Sequence, residues 1–385
     1  MFFKTFRLSF VVTIVFLALA FVYDSGTGLA LAAILAVLEV SLSFDNAVVN
    51  ATVLVKLNDF WQRIFLTVGV LIAVFGMRLV FPLLIVGLTA KLNPVEAVRL
   101  ALDKGDPHTP GTYGYLLNDA HPAIAAFGGA FLLMLFLNFV FEEQEITWLT
   151  WLEKPLAKIG KLDALSVVVC LVVVAVAGEF LAPEGKTGTV LVSGLLGTAA
   201  YLLVNGLGEL FDVEEDEDDD EAAEPSRGRA TAQIALRAGK AAFFTFLYLE
   251  VLDASFSFDG VIGAFAITSD PIIIALGLGI GAMFIRSLTV FLVHHGTLSK
   301  FPHLEHGALW AIGALAAILV ISIRYEIPEV VTGLIGVAFI GLSLLTSIRY
   351  NKNHPDEPDQ EELVDAGAPP VTSAGGQPVR EGTSS

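Results

Sequence analysis

Two short stretches of the chain, EVSLSFDN at residues 39–46 and DASFSFDG at residues 253–260, share one pattern. In each stretch an acid precedes two serines, a phenylalanine and an aspartate at the same spacing. An arginine follows in the next apolar segment of both copies, Arg78 in GMRLVFPLL and Arg286 in FIRSLTVFL, and a segment that begins with histidine comes after each arginine. This shared order of landmarks predicts an internal repeat.

The sequence around these motifs is too apolar for a water-soluble domain. Of its 385 residues, 55% are hydrophobic and 16% are charged, and the mean hydropathy is +0.72. This composition excludes a disordered protein and disfavours a soluble enzyme. We therefore predict an all-α, polytopic protein of the cell membrane, in contact with the lipid bilayer. A bilayer core takes about 20 mainly apolar residues per helix. The sequence contains about ten such spans, near residues 6–23, 28–55, 64–88, 123–141, 162–181, 188–207, 241–268, 272–293, 307–323 and 328–348.

The two copies of the repeat begin in predicted spans 2 and 7, five spans apart. An odd offset makes the copies cross the membrane in opposite directions, as in the inverted repeats of secondary transporters. The predicted architecture is therefore an inverted 5+5 repeat. Four regions follow: the first membrane repeat plus span 6 at 1–208, a disordered acidic cytoplasmic loop at 209–230, the remainder of the second repeat at 231–348, and a disordered cytoplasmic tail at 349–385.

The net charge of −18 lies almost wholly outside the predicted helices. Residues 209–224 contribute −11 and residues 350–385 contribute −5. Basic residues divide 15 to 5 between the two sets of loops, which places both termini in the cytoplasm by the positive-inside rule. The acidic loop is then a solvated linker or, alternatively, a surface for a cytoplasmic protein partner. The nearly neutral body indicates no nucleic-acid partner.

Seven charged residues fall within the predicted spans: Glu39, Asp45, Glu250, Asp253, Asp259, Arg78 and Arg286. Each costs about 2.5–3.5 kcal/mol at the centre of a helix that faces lipid, so we expect them to face one another or a wet cavity. Helical geometry groups four oxygen-bearing residues of span 2 into one stripe: Glu39, Ser43, Asn46 and Asn50. Asp45 lies well away from this stripe. Either the helix unwinds around FDN or this aspartate has a separate partner.

Carboxylate, amide and hydroxyl oxygens are the ligands that hard cations such as Mn²⁺, Mg²⁺ and Ca²⁺ prefer. The spans lack the His and Cys spacings of zinc or copper centres. We therefore predict one shared site for a transported divalent cation, Mn²⁺ first, and no prosthetic group. In this site Glu39, Asp45 and Asn46 face Asp253 and Asp259, with Glu250 at the entrance. Two glycines in the second copy, Gly260 and Gly263, would permit a broken helix there.

The two intramembrane arginines are predicted to be structural or gating residues. Arg78 and Arg286 would act as counter-charges to Asp45 or Asp259 when no cation is bound. The alternative is that all these charges form buried ion pairs that only lock the helix bundle. Because four or five acids face two bases, the uncompensated negative charge favours a site for a cation or protons.

The motifs EVSLSFDNAVVNA and DASFSFDGVIGAFAIT, each followed by a glycine-rich span with an arginine, resemble the twin acidic motifs of the TerC family within the LysE transporter superfamily. The resemblance covers residues 28–347. The longer loop after span 3 and the FEEQE stretch are more similar to uncharacterised relatives, labelled only as a domain of unknown function. The resemblance implies export of manganese or related divalent ions and a link to tellurium resistance. The motif acids correspond to Glu39, Asp45, Asp253 and Asp259, with Asn46 beside the first and Gly260 in place of a polar residue.

The predicted function is export of a hard divalent cation by alternating access of the two repeats, with proton exchange as the driving reaction. The chain is not expected to be an enzyme. Two other functions stay open. One is a non-transporting membrane scaffold of a stress-resistance complex, with the acidic loop as its binding surface. The other is an intramembrane aspartyl protease with Asp45 and Asp259 as its dyad, which is disfavoured because the sequence lacks a GxGD motif.

Overall fold

The structure is a computed structural model that describes residues 5–69, 71–144, 146–162, 164–221, 239–294 and 300–353. Within these ranges 84% of the residues lie in helices and none lies in a strand, which confirms the all-α fold class. The α-helices, numbered here in chain order, are α1 Arg7–Leu42, α2 Phe44–Leu54, α3 Asp59–Ile64, α4 Phe81–Thr89, α5 Pro94–Leu102, α6 Tyr113–Phe141, α7 Thr150–Gly160, α8 Leu165–Phe180, α9 Thr187–Glu221, α10 Gly239–Ile267, α11 Pro271–His294, α12 Leu304–Ser322 and α13 Glu329–Asn353. Two π-helical segments, Phe65–Gly69 and Ile72–Val80, lie between α3 and α4.

Helix α1 is interrupted where the sequence predicts the loop between the first two spans. Asp24 (φ −137°, ψ 33°) and Ser25 (φ 52°, ψ −144°) leave the helical conformation. Beyond them the chain folds back on itself, because a Cβ at Gly28 would lie only 2.6 Å from the carbonyl oxygen of Ala20. Eight residues of continuous helix would separate these positions by about 12 Å. Helix α1 therefore consists of two arms that pack against each other, residues 7–23 and residues 26–42.

Eight helices of the described chain are long and apolar enough to cross a membrane, or nine if α7 and α8 together form one span. The predicted count of ten differs at two places. Residues 7–41 count as one membrane-spanning helix here, although the chain turns back at Asp24 and Ser25. The sequence predicted two spans over the same residues. The predicted span at 162–181 corresponds to α8, whose 16 residues follow α7 at an angle of 101°. A helix of this length spans about 24 Å, less than the hydrocarbon core of about 30 Å.

The short helix α2, which carries the FDN motif, lies among helices of the second half of the chain. It packs against α10, α11, α12 and α13, and nine of its eleven residues are buried. Ser43 separates it from α1 with φ −105° and ψ 20°. One sequence-based prediction is that the helix unwinds around FDN, because Asp45 lies away from the stripe of oxygen-bearing residues. The helix is indeed interrupted, at Ser43, one residue before FDN.

The second motif is built differently. Helix α10 continues through FDG to Ile267, so the predicted break at Gly260 and Gly263 is wrong. The absence of a side chain at Gly260 serves close packing instead, because a Cβ there would lie 3.0 Å from Oε2 of Glu39. One copy of the repeat thus has a broken helix and the other a continuous one.

The two predicted disordered regions are described only in part. Helix α9 continues to Glu221 through ten of the eleven acids of residues 209–224, where a disordered loop was predicted, and residues 222–238 lie outside the described chain. Helix α13 continues to Asn353, and residues 354–385 likewise lie outside it.

We predict that the turn between the two arms of α1 tolerates a side chain at Gly26 but not at Gly28. A Cβ at Gly28 would crowd Ala20, Asp24 and Ile273, whereas no atom lies within 4 Å of a Cβ at Gly26. Overpacking of this kind costs about 1–3 kcal/mol, so Gly28→Ala should lower the midpoint of thermal unfolding in detergent, followed by circular dichroism. The matched control, Gly26→Ala, should unfold like the wild type. Equal behaviour of the two variants would contradict the folded-back geometry.

Candidate functional site

The first buried ion pair joins Glu39 of the first motif to Arg78 of the π-helical segment Ile72–Val80. Nη2 of Arg78 lies 2.5 Å from Oε1 of Glu39, and both side chains are buried. Arg78 belongs to the π-helical segment Ile72–Val80, and its Nη1 donates to the carbonyl oxygen of Ala73 at 2.7 Å. A π-helical turn is often found at functional sites because it displaces side chains from the regular helical register. The guanidinium is thus held by its own segment and by Glu39.

The second buried ion pair lies in the second copy. Nη2 of Arg286 is 3.2 Å from Oε1 of Glu250 and 3.4 Å from Oδ2 of Asp253. Its Nη1 donates to the carbonyl oxygen of Phe65 at 3.0 Å, and the guanidinium lies 4.1 Å from the centre of the Phe65 ring. Asp253 is the residue that aligns with Glu39 in the repeat. Each arginine therefore contacts the first acid of its own motif.

A small cavity lies where the two motifs meet. Its volume is about 10 Å³, close to the smallest space that holds one water molecule. Residues of both copies line it: Glu39, Ser43, Asn46, Ala73, Arg78, Asp253, Ser257, Ala282, Ile285 and Arg286. The hydroxyl of Ser257 has no hydrogen-bond partner within the described part of the chain. Buried polar atoms are usually hydrogen-bonded, so this hydroxyl is available to a further partner.

A second, larger cavity of about 550 Å³ reaches the same carboxylates from one end of the helix bundle. Its inner end includes Glu39, Asp45 and Asn46. Its outer end includes His108, in the loop between α5 and α6, and Glu326, in the loop between α12 and α13. The acids of the first motif therefore face a space that leads to these two loops.

The structure brings together three of the six predicted metal-site residues, since Glu39, Asn46 and Asp253 all line the small cavity. Asp45 lines the large cavity instead and lies against Gly336 of α13. Glu250 was predicted at the entrance, but it contacts Arg286 and lines neither cavity. The side chain of Asp259 lies outside the described residues.

Arg78 contacts Glu39 rather than the predicted Asp45, and Arg286 contacts Glu250 and Asp253. The predicted contact of an arginine with Asp259 stays a prediction, because the side chain of Asp259 lies outside the described residues. The break at Ser43 explains the first difference, because it restarts the helix at Phe44 and turns Asp45 towards α13.

Two residues that the sequence did not single out shape the site. A Cβ at Gly281 would overlap the side chain of Glu39, and a Cβ at Gly69 would overlap the guanidinium of Arg286. Both glycines therefore give the charged side chains room between tightly packed helices. The signal for Gly281 was present in the sequence, because GLGIGAMFIR places it five residues before Arg286.

The described residues contain no group of three or more His, Cys, Asp and Glu side chains arranged to hold a metal ion. Three of the buried acids, Glu39, Glu250 and Asp253, pair with the two arginines. Three carboxyl groups thus face two guanidiniums, and Asp45 is a fourth buried acid nearby.

The apolar helices and the buried acid–arginine site define a polytopic α-helical membrane protein. The chain belongs to the family described as "Protein of unknown function (DUF475)", whose model matches residues 44–354. It is similar to "Uncharacterized membrane protein YceF" of Bacillus subtilis (strain 168), with 31% identity over 103 residues, or 26% of this chain. The match spans 39% of the length of that relative. No solved structure matches the chain.

We predict that the Glu39–Arg78 pair behaves as a unit in unfolding experiments. Removing one partner of a buried ion pair costs about 3–5 kcal/mol because the other charge is left unpaired. Arg78→Gln should therefore lower the midpoint of thermal unfolding in detergent, and the double variant Glu39→Gln/Arg78→Gln should recover most of the loss. A double variant that is no more stable than Arg78→Gln would show that the two side chains are not coupled.

Proposed function

We propose that this membrane protein transports a hard divalent cation, with Mn²⁺ as the first candidate. The observation that carries the proposal is the small cavity, where acids of both motifs meet hydroxyl and amide side chains in the interior of the bundle. The oxygens of Glu39, Asp253 and Ser257 form the kind of ligand set that Mn²⁺, Mg²⁺ and Ca²⁺ prefer. A cargo ion bound there would also give the hydroxyl of Ser257 the partner that it lacks.

In this proposal Arg78 and Arg286 take the place of the cation in the ion-free protein. Each guanidinium satisfies an acid that would otherwise be an unpaired buried charge. An arriving divalent cation competes with the guanidiniums for the same carboxylate oxygens. The excess of acids over arginines favours its entry and also allows protons to return on the emptied carboxylates. The mode proposed is export coupled to proton exchange.

The large cavity is the proposed path to one side of the membrane. The loops at its outer end follow Lys104 and Arg324, two of the five basic residues that the positive-inside rule assigns to the far side. This conformation is then open to the outside, with both termini in the cytoplasm. Closure of that cavity and opening of a path on the cytoplasmic side would complete alternating access.

The proposed topology has ten crossings arranged as an inverted 5+5 repeat. Counting the two arms of α1 separately and α8 as one short span yields this number from the helices described. The pairing of each arginine with the first acid of its own motif supports the equivalence of the two copies. The resemblance of both motifs to those of the TerC family supports metal export and a role in tellurium resistance.

Neutral replacements of the acids test the transport function. We expect Glu39→Gln, Asp45→Asn and Asp259→Asn each to abolish Mn²⁺ movement across proteoliposome membranes, measured with a manganese-quenched dye inside the vesicles. Each substitution removes the carboxylate of a motif acid and changes little in volume. Glu142→Gln is the matched control, because Glu142 is exposed. Wild-type rates in all three acid variants, or no Mn²⁺ movement with the wild type, would contradict the proposal.

The acidic loop separates a transporter from the alternative scaffold. Deletion of residues 212–224 removes ten acids and leaves the two motifs intact. A transporter should keep its rate of Mn²⁺ movement in proteoliposomes. Loss of a co-purifying cytoplasmic protein together with the stress resistance of the cells, at an unchanged transport rate, would favour the scaffold.

A further inference from the structure

Helix α7 does not continue the direction of the membrane segment that follows it. The axes of α7 and α8 differ by 101°, and α8 is an apolar helix. When α8 crosses the bilayer, α7 therefore runs nearly parallel to the membrane plane. Its 11 residues, TWLEKPLAKIG, are much more polar than a span and include aromatic and basic side chains, as in helices that lie at the membrane surface.

The side chains of this segment divide into three faces. Glu153 and Ala157, four residues apart, are buried against the protein. On the opposite side, Trp151 is 76% exposed and Leu162, just beyond the helix end, is 63% exposed. The flank between these faces carries two exposed lysines, Lys154 and Lys158. An outward apolar face beside a basic flank is the pattern of a helix that lies in the head-group region.

Glu153 fixes this orientation. Its Oε1 accepts from Nε1 of Trp310 at 3.0 Å and lies 3.3 Å from Nδ1 of His306, both on α12. Its Oε2 accepts from the backbone N–H of Trp148 at 3.0 Å. These contacts hold α7 against the bundle with the same face inward, so that Trp151 and the lysines point away from the protein.

We propose that α7 binds an anionic lipid surface, with Lys154 and Lys158 at the phosphate groups and Trp151 and Leu162 at the boundary with the acyl chains. Charge complementarity selects this occupant over a neutral lipid, because a lysine at a bilayer surface attracts anionic head groups. The basic-residue count places the loop before α8 on the cytoplasmic side. The contact of Glu153 with α12 connects this lipid-binding face to the second half of the chain.

Quenching of Trp151 by brominated lipids tests the proposal on the full-length protein in vesicles. The signal of Trp151 is the difference between wild type and Trp151→Phe. One series contains brominated phosphatidylglycerol in ordinary phosphatidylcholine, and the other contains brominated phosphatidylcholine in ordinary phosphatidylglycerol, at matched fractions of the brominated lipid. We expect stronger quenching by brominated phosphatidylglycerol. Lys154→Gln or Lys158→Gln should each raise the fraction needed for half-maximal quenching about five-fold.

The control is Lys56→Gln/Lys352→Gln, which removes two exposed lysines elsewhere and should leave the preference unchanged. Equal quenching by both brominated lipids in the wild type would overturn the selection of anionic lipid. No quenching of Trp151 by either lipid would show that protein covers this face. Quenching of Trp151 does not depend on ion movement. Its result therefore tests lipid binding by α7 separately from the transport function.

Discussion

The contact of a guanidinium with a carboxylate in the membrane interior is the interaction on which the rest of this structure depends. Arg78 meets Glu39, and Arg286 meets Glu250 and Asp253, all of them buried. An unpaired charge at these positions would cost several kcal/mol, more than helix packing readily offsets. The two arginines therefore fix the positions of the motif helices α1 and α10. They hold them against the π-helical segment Ile72–Val80, which carries Arg78, and against α11, which carries Arg286.

The helices around these ion pairs pack closely, which keeps lipid away from the charged groups. Small residues leave the charged side chains the room that they occupy. Glycines stand where a side chain would collide with Glu39 or Arg286. The π-helical segment lets Arg78 reach Glu39 while its other nitrogen binds the carbonyl of Ala73. The break at Ser43 lies between Glu39, which lines both cavities, and Asp45, which lines only the large one of the two and lies against α13.

The sequence was sufficient to predict that charged residues of the apolar spans lie buried beside one another, as Glu39, Arg78, Asp253 and Arg286 do. Charge within an apolar span is costly wherever it occurs, so its presence is informative without coordinates. The turn between the first two spans was also predictable, since FVYDSG interrupts the apolar run where Asp24 and Ser25 leave the helix.

Other features depend on tertiary packing and could not be obtained in this way. Gly260 and Gly263 suggested a broken helix in the second copy, but that helix is continuous. Glycine also allows close packing between helices, as Gly260 does against Glu39. The break falls at Ser43 in the first copy instead. Partner acids were assigned by charge alone, and the interrupted helix at Ser43 changed which acid Arg78 reaches. Helix α7 was missed because the prediction searched for spans. The tryptophans and lysines of TWLTWLEKPLAK were the available signal for an interfacial helix.

The central claim is that a divalent cation and the guanidiniums compete for the same buried carboxylates. Equilibrium binding of Mn²⁺ to the purified protein, followed by the electron paramagnetic resonance signal of free Mn²⁺, tests it most directly. We expect saturable binding of one Mn²⁺ per chain that is lost in Glu39→Gln and retained in Glu142→Gln. Absence of saturable binding to the wild type, or binding that survives Glu39→Gln unchanged, would contradict it.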